Sequence, residues 1–184
     1  LGVFLLAREA GLMTPTPEGL ACPLEVVPLF ETIDDLERAP GIMDEFLKHP
    51  IVQRRNADEQ QVMLGYSDSN KDCGILSAAW ALHKGQRHLS EVARRHKTKL
   101  RYFHGRGGTI SRGAGPTHWF MASLPHGSLN GGFRMTEQGE TIAQKYANLA
   151  NATYNLELLL AGNAITTAVH SRPDTRKDPA EEFM

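Results

Sequence analysis

Cysteine is scarce in this 184-residue chain, and the two present, Cys22 and Cys73, stand in no CxxC or Cys/His spacing. A zinc site built on thiolates is therefore excluded, and reduced thiols of a cytoplasmic protein are the expectation. No apolar run reaches the length needed to cross a bilayer. Positive charge is not in excess: the formal net charge is −1 at pH 7, without the broad basic field of a nucleic-acid binder. Also missing are an initiator methionine, the basic-then-apolar order of a secretory leader, internal repeats and low-complexity tracts. Apolar residues are already dense at Val3, as though an element began upstream, so the expectation is a segment of a longer chain.

One further absence is local. Between Glu91 and Glu137 there is no acidic residue, while Arg94, Arg95, Lys97, Lys99, Arg101, Arg106, Arg112 and Arg134 all fall inside that interval. A negative ligand would be focused there despite the near-zero total. Arg94 to Arg101 read as a solvated helix end and loop, which leaves Arg106 and Arg112 as the functional candidates.

What is present is ordinary globular material, 41% hydrophobic and 22% charged, enough for one sizeable core. Four short apolar runs read as strands, at residues 24–30, 61–66, 100–103 and 133–136. Helical spacing covers 34–48, with Asp34 as its cap, and 75–97, where Ile75, Ala79, Leu82, Leu89 and Ala93 fall mainly on one face. A third helix starts near Pro116, and a long one is expected over 138–160. Strands alternating with helices predict an α/β fold with a parallel sheet, either doubly wound or closed as a barrel. In both, the residues following each strand converge on the active site.

That rule selects side chains. Glu31 follows the first strand and Asp68 the second. Brought to one mouth, two carboxylates repel unless a cation lies between them, and such oxygen donors suit Mg2+ or Mn2+. On spacing alone, acids at strand-to-helix turns more often cap the next helix. Lys71, on a turn in GYSDSNKDCG, reads as a solvated loop lysine or as a point charge for phosphate or carboxylate. In FHGRGGTISRGAGPTHWF, residues 103–120, Gly107, Gly108 and their neighbouring glycines let backbone approach an anion, and Pro116 opens a helix behind them. Arg106 and Arg112 add planar forks for oxyanions. The stretch matches neither a P-loop nor a GxGxxG fingerprint. His104, at the strand end, is placed to donate to a substrate oxygen or shuttle a proton.

PLFET (28–32), VMLGYSDSNKDCG (62–74), FHGRGGTISRGAGPTH (103–118) and GGFRMTEQGE (131–140), in that order, resemble phosphoenolpyruvate carboxylase over nearly the entire chain. The resemblance implies that residues 1–184 are part of the catalytic domain of a longer chain. That domain would be a phosphoenolpyruvate/pyruvate-type α/β (TIM-like) barrel with added helices, in a cytoplasmic homotetramer. It implies that Glu31 and Asp68 bind Mg2+ or Mn2+, and that Lys71, His104, Arg106, Gly107, Gly108 and Arg112 meet substrate or intermediate. Bicarbonate would attack the phosphate of phosphoenolpyruvate, giving carboxyphosphate and enolate, and the enolate would capture the released carbon dioxide to give oxaloacetate. His104 would place or deprotonate the carboxyphosphate. A second catalytic histidine is expected before Leu1 and further substrate groups after Met184, so the isolated segment is expected to be inactive.

Small departures from the family pattern are Asn70 and Cys73 beside the lysine, and Ser111 and Ala114 in place of frequent glycines; none removes a charge. The competing readings are a non-catalytic phosphoenolpyruvate-binding relative and another metal-dependent enolate lyase, from which bicarbonate-dependent phosphate release distinguishes a carboxylase.

Overall fold

The computed structural model describes residues 1–55, 57–106 and 116–174. The chain opens with helix α1 (Gly2–Glu9) and a small antiparallel hairpin, β1 (Thr14–Thr16) and β2 (Gly19–Ala21). Phe4 and Ala7 of α1 bury against Cys22. The Arg54 guanidinium holds this hairpin from outside, donating to the carbonyls of Glu18 and Leu20.

Strand β3 is only Leu29–Phe30, against an expected strand over 24–30. Pro28 has no N–H to offer a ladder. The preceding residues still run beside the next strand: the Pro28 carbonyl accepts from the Met63 N–H at 2.8 Å, Glu25 accepts from the Gln61 backbone and amide at 3.1 and 2.8 Å, and the Gln60 side chain donates to the Val26 carbonyl at 2.9 Å.

Helix α2 (Ile33–Lys48) follows, capped not by Asp34 but by Thr32. The Thr32 hydroxyl accepts from the Asp35 N–H at 3.1 Å and the Asp35 carboxylate accepts from the Thr32 N–H at 3.2 Å, a capping box that leaves Asp34 exposed and paired with Arg38. Then come α3 (Pro50–Arg54), strand β4 (Glu59–Gly65), helix α4 (Tyr66–Cys73), the long α5 (Ile75–Arg95) and strand β5 (Lys99–Gly105). Tyr66, expected to end the strand, and the residues after it, expected as a turn, are helical. After α6 (Thr117–Ala122) and strand β6 (Arg134–Met135), the helix expected over 138–160 is two helices, α7 (Gly139–Tyr146) and α8 (Leu149–His170). The break falls where the Asn148 side chain accepts from the Asn151 N–H at 3.0 Å and starts a new helix.

The sheet is parallel and its order, β3-β4-β5-β6, is the chain order. The β4–β5 register is unbroken from Glu59 opposite Lys99 to Gly65 opposite Gly105. One face is apolar. Phe30, Val62, Leu64, Leu100 and Tyr102 pack on Leu36, Ala39, Met43 and Leu47 of α2 and on Leu82, Leu89, Val92 and Ala93 of α5. Fully burying side chains of this kind contributes roughly 1.5–3 kcal/mol each, which makes this interface the main source of stability. The alternate residues form a polar face. Arg134 donates to Gln61 at 2.6 Å and lies over the Phe103 ring at 4.3 Å, and Arg101 pairs with Glu59 at 2.9 Å. Among the described residues no helix is long and apolar enough to cross a membrane.

Candidate active site

Parallel register sends the carboxyl ends of β3, β4 and β5 to one edge, and four of the sequence-selected residues follow those ends. Phe30 faces the helices, so Glu31 turns to the opposite face beside Gly65. The approach is tight: a Cβ added at Gly65 would stand 2.4 Å from Glu31 Cβ. The Ser69 hydroxyl bonds both strand ends, at 2.7 Å to the Glu31 carbonyl and 2.6 Å to that of Gly65. Asp68 is the neighbour of Ser69 in the first turn of α4, so both carboxylates are anchored to the same junction.

Lys71 lies in the last turn of α4, with Nζ 2.9 Å from Asp68 Oδ1. Both side chains are largely exposed, so the pair contributes little to stability. The lysine is already beside the acid that a cation would occupy. Among the described residues no group of three or more His, Cys, Asp or Glu side chains is placed to hold a metal. Two carboxylates with the rest of the shell left to water and substrate is the donor set that Mg2+ and Mn2+ accept, so the residues present fit such an ion.

His104, next to last in β5, is buried. Phe120 meets it edge-on at 5.1 Å between centroids, Phe133 lies nearly parallel at 5.3 Å, and Tyr66 and Tyr102 complete the surround. Its Nδ1 is 2.9 Å from the Tyr66 hydroxyl. Burial first, and the Arg106 charge second, push the imidazole down from its ordinary 6.5 to about 3, so it is neutral at physiological pH. Burial pushes the Tyr66 phenol up, so it keeps its proton.

Arg106 follows β5 with its guanidinium over the Phe120 ring at 4.4 Å and Nη1 3.8 Å from Met135 Sδ. Burial draws it down somewhat, against the pull of Tyr66 and Glu137, but guanidinium stays charged in proteins. Of the basic residues in the acid-free interval, Arg94 and Arg95 end α5, Arg101 and Arg134 belong to the polar sheet face, and Arg106 is the described one at the carboxyl edge. Gly107, Gly108 and Arg112 lie outside the described residues. His118 packs against Gly162 of α8, where an added Cβ would stand 2.9 Å from its own.

Sequence reasoning missed several members. Gly65 and Tyr66 were read only as the end of a strand, Ser69 only as one of the residues that follow it, and the pair formed by Glu137 with Lys145, whose Nζ also reaches the Thr117 hydroxyl at 3.0 Å, was not anticipated. The strand-to-helix junction in LGYSDS was the available signal, since the residues at such a junction face the site.

A parallel sheet with helices, whose carboxyl edge carries two carboxylates, an imidazole and a guanidinium, places the chain in the α/β class. The family model "Phosphoenolpyruvate carboxylase" matches residues 1–184, and the chain belongs to that family. It is 50% identical over 164 residues to the phosphoenolpyruvate carboxylase of Methylorubrum extorquens, covering 88% of this chain and 18% of that protein. It is 46% identical over 170 residues to that of Azoarcus sp. strain BH72, covering 91% and 18%. To that of Azorhizobium caulinodans it is 44% identical over 188 residues, covering 100% and 19%. The chain thus spans about a fifth of the length of these curated relatives.

Proposed function

We propose that these 184 residues form part of the catalytic barrel of a phosphoenolpyruvate carboxylase, which joins bicarbonate to phosphoenolpyruvate and yields oxaloacetate and phosphate. The observation that carries this reading is the meeting of Glu31, Asp68, His104 and Arg106 on one edge of a parallel sheet, in a chain of this family. Sheet order supports the barrel. Doubly wound sheets reverse direction at a switch point, whereas β3 to β6 run in chain order with helices on one face, as in a barrel wall. The polar face, with Arg101, Gln61 and Arg134, is then the barrel interior.

Glu31 and Asp68 would hold Mg2+ or Mn2+, which supplies Lewis-acid charge where the enolate oxygen develops. The other tasks belong to this chain's own groups. Arg106, its plane fixed on Phe120, grips the phosphate; the resemblance assigns Gly107, Gly108 and Arg112 to the same anion. Lys71 passes from Asp68 to the substrate anion when the acid takes up its ligand. Bicarbonate oxygen bonds to phosphorus as the enol C–O–P linkage breaks, leaving enolate and carboxyphosphate. Carboxyphosphate parts into carbon dioxide and phosphate, and the enolate carbon bonds to the carbon dioxide. His104, walled by aromatic rings that exclude water, holds the carboxyphosphate between these steps.

The test is made on the intact protein containing this segment, supplied with phosphoenolpyruvate, bicarbonate and Mn2+. One phosphate should appear per oxaloacetate, and both should depend on bicarbonate. Asp68→Ala and Glu31→Ala should abolish turnover while circular dichroism stays unchanged. Full activity in Asp68→Ala would overturn the metal assignment, and phosphate release that ignores bicarbonate would overturn the carboxylase reading.

A further inference from the structure

The neutral His104 ring carries one proton, on either Nδ1 or Nε2, and the two tautomers do different chemistry. With the proton on Nδ1, the free Nε2 lone pair is a base. With the proton on Nε2, that nitrogen is a donor. The group that decides is the one at Nδ1, the Tyr66 hydroxyl at 2.9 Å. A phenol is protonated at neutral pH and can either give its proton to Nδ1 or accept one from it.

Relative acidity breaks the tie. Among the described residues the hydrogen-bond partner of the Tyr66 hydroxyl is His104 Nδ1. Gln86 does not take the phenol's proton, because its buried Oε1 accepts from nothing. A phenol O–H is a stronger acid than a neutral imidazole N–H, and an imidazole nitrogen is a far better base than a phenol oxygen. The proton shared by the pair therefore stays on the phenol and points at Nδ1. Phe120 and Phe133 hold the ring in this orientation.

We propose that Tyr66 is a positioning residue for carboxylation: its hydroxyl donates to His104 Nδ1, locks the imidazole as the Nε2–H tautomer, and makes His104 a hydrogen-bond donor to carboxyphosphate. This rests on the carboxylase reading and decides a point within it, since the same histidine cannot then deprotonate the intermediate. The proton balance closes without a protein base. As the carbonyl carbon's bond to the bridging oxygen breaks, the carboxyl proton passes to an oxygen of the departing phosphate, giving carbon dioxide and hydrogen phosphate. The Nε2–H holds the carboxyl oxygens in place until the enolate carbon attacks.

Tyr66→Phe removes the hydroxyl and keeps the ring. In the intact protein labelled with 15N-histidine, and assigned by difference from His104→Gln, solid-state NMR of the wild type should find Nδ1 unprotonated and Nε2 protonated. Tyr66→Phe should show both tautomers. Its KM for phosphoenolpyruvate should stay within about twofold and its kcat for oxaloacetate should fall about tenfold, the equivalent of one hydrogen bond. Phosphate release should outlast oxaloacetate formation, so that more than one phosphate appears per oxaloacetate. A proton on Nδ1 in the wild type overturns the proposal. So does a one-to-one ratio in Tyr66→Phe at any rate, the outcome of a purely structural role. A wild type that forms no oxaloacetate overturns the carboxylase reading instead, and the nitrogen spectrum still decides the tautomer.

Discussion

Gly65→Ala tests how the carboxyl edge is built. The backbone there, φ −91° and ψ 108°, suits any L-residue, so the new methyl costs only what it touches. It would stand 2.4 Å from Glu31 Cβ, 3.1 Å from Oε2 and 3.3 Å from Cα. Carbon atoms settle at about 3.5 Å, so the ends of β3 and β4 must part by roughly 1 Å. Rotating the Glu31 side chain gives no relief, because the closest atom is Cβ. The Ser69 hydroxyl bridges both carbonyls, and parting them strains or breaks one of its bonds. Overpacking of about 1–3 kcal/mol plus a lost hydrogen bond of about 1 kcal/mol gives a destabilisation of roughly 2–4 kcal/mol. For catalysis, a carboxylate displaced by this much should cost on the order of 100-fold in turnover. Mn2+ affinity, read from the free-ion EPR signal of the intact protein, should fall more than tenfold. Gly105→Ala is the control. Its methyl would meet the Leu64 carbonyl and Met63 Cε, both at 2.9 Å, and not Glu31, so it should lose stability and keep its Mn2+ affinity. Wild-type Mn2+ affinity in Gly65→Ala, or equal loss in both variants, would refute the reasoning.

Stability should fall with acid through His104. Its pKa is about 3 in the fold and near the ordinary 6.5 in the unfolded chain, so between these values the unfolded state binds the extra proton and folding weakens as pH drops. The slope is about 1.4 kcal/mol per unit, or about 2 kcal/mol between pH 6.5 and 5; denaturant melts of wild type and His104→Gln should diverge by that amount, and parallel curves would contradict a buried neutral imidazole. Residues 1–184 purified alone should form no oxaloacetate from phosphoenolpyruvate, bicarbonate and Mn2+. The polar sheet face would have no partner strands, and catalytic groups that act as a unit lose far more together than singly; turnover comparable to an intact carboxylase would disprove this.

Parallel pairing and the residues at the strand ends were legible in the sequence, because apolar runs bounded by Gly and charged residues mark strands, and strand ends mark sites; the order of the strands was not. Less legible was how each element starts. Thr32 outcompeted Asp34 because only Thr32 combines an extended backbone with an Asp35 able to reach back and complete the box. The 24–30 run was shortened by Pro28, and the 138–160 run was split by Asn148, each a local chemistry that hydrophobic spacing does not report. Asp68 and Lys71 were found as a pair but placed on a turn, since SDSNKD has the composition of a loop; the helix there is held by packing of α4 on α5 and by Ser69. The role of Tyr66 was invisible in principle. Its partner His104 is 38 positions away, and only the register that seats Leu64 against His104 brings the two together.

That register also dictates a history for the molecule. Every rung between β4 and β5 joins residues forty positions apart, from Glu59 with Lys99 to Gly65 with Gly105. No rung can form early, because each must close the same long loop, and the closure entropy is recovered only when many close together. Helix α5 is what shortens the search. Its 21 residues wind locally, and its apolar stripe packs on both α2 and the sheet. The edge bearing Glu31, Asp68 and His104 therefore depends on the closure of that long loop, and a substitution in the apolar stripe of the outer helix, far from any substrate atom, should change how fast that edge comes into being.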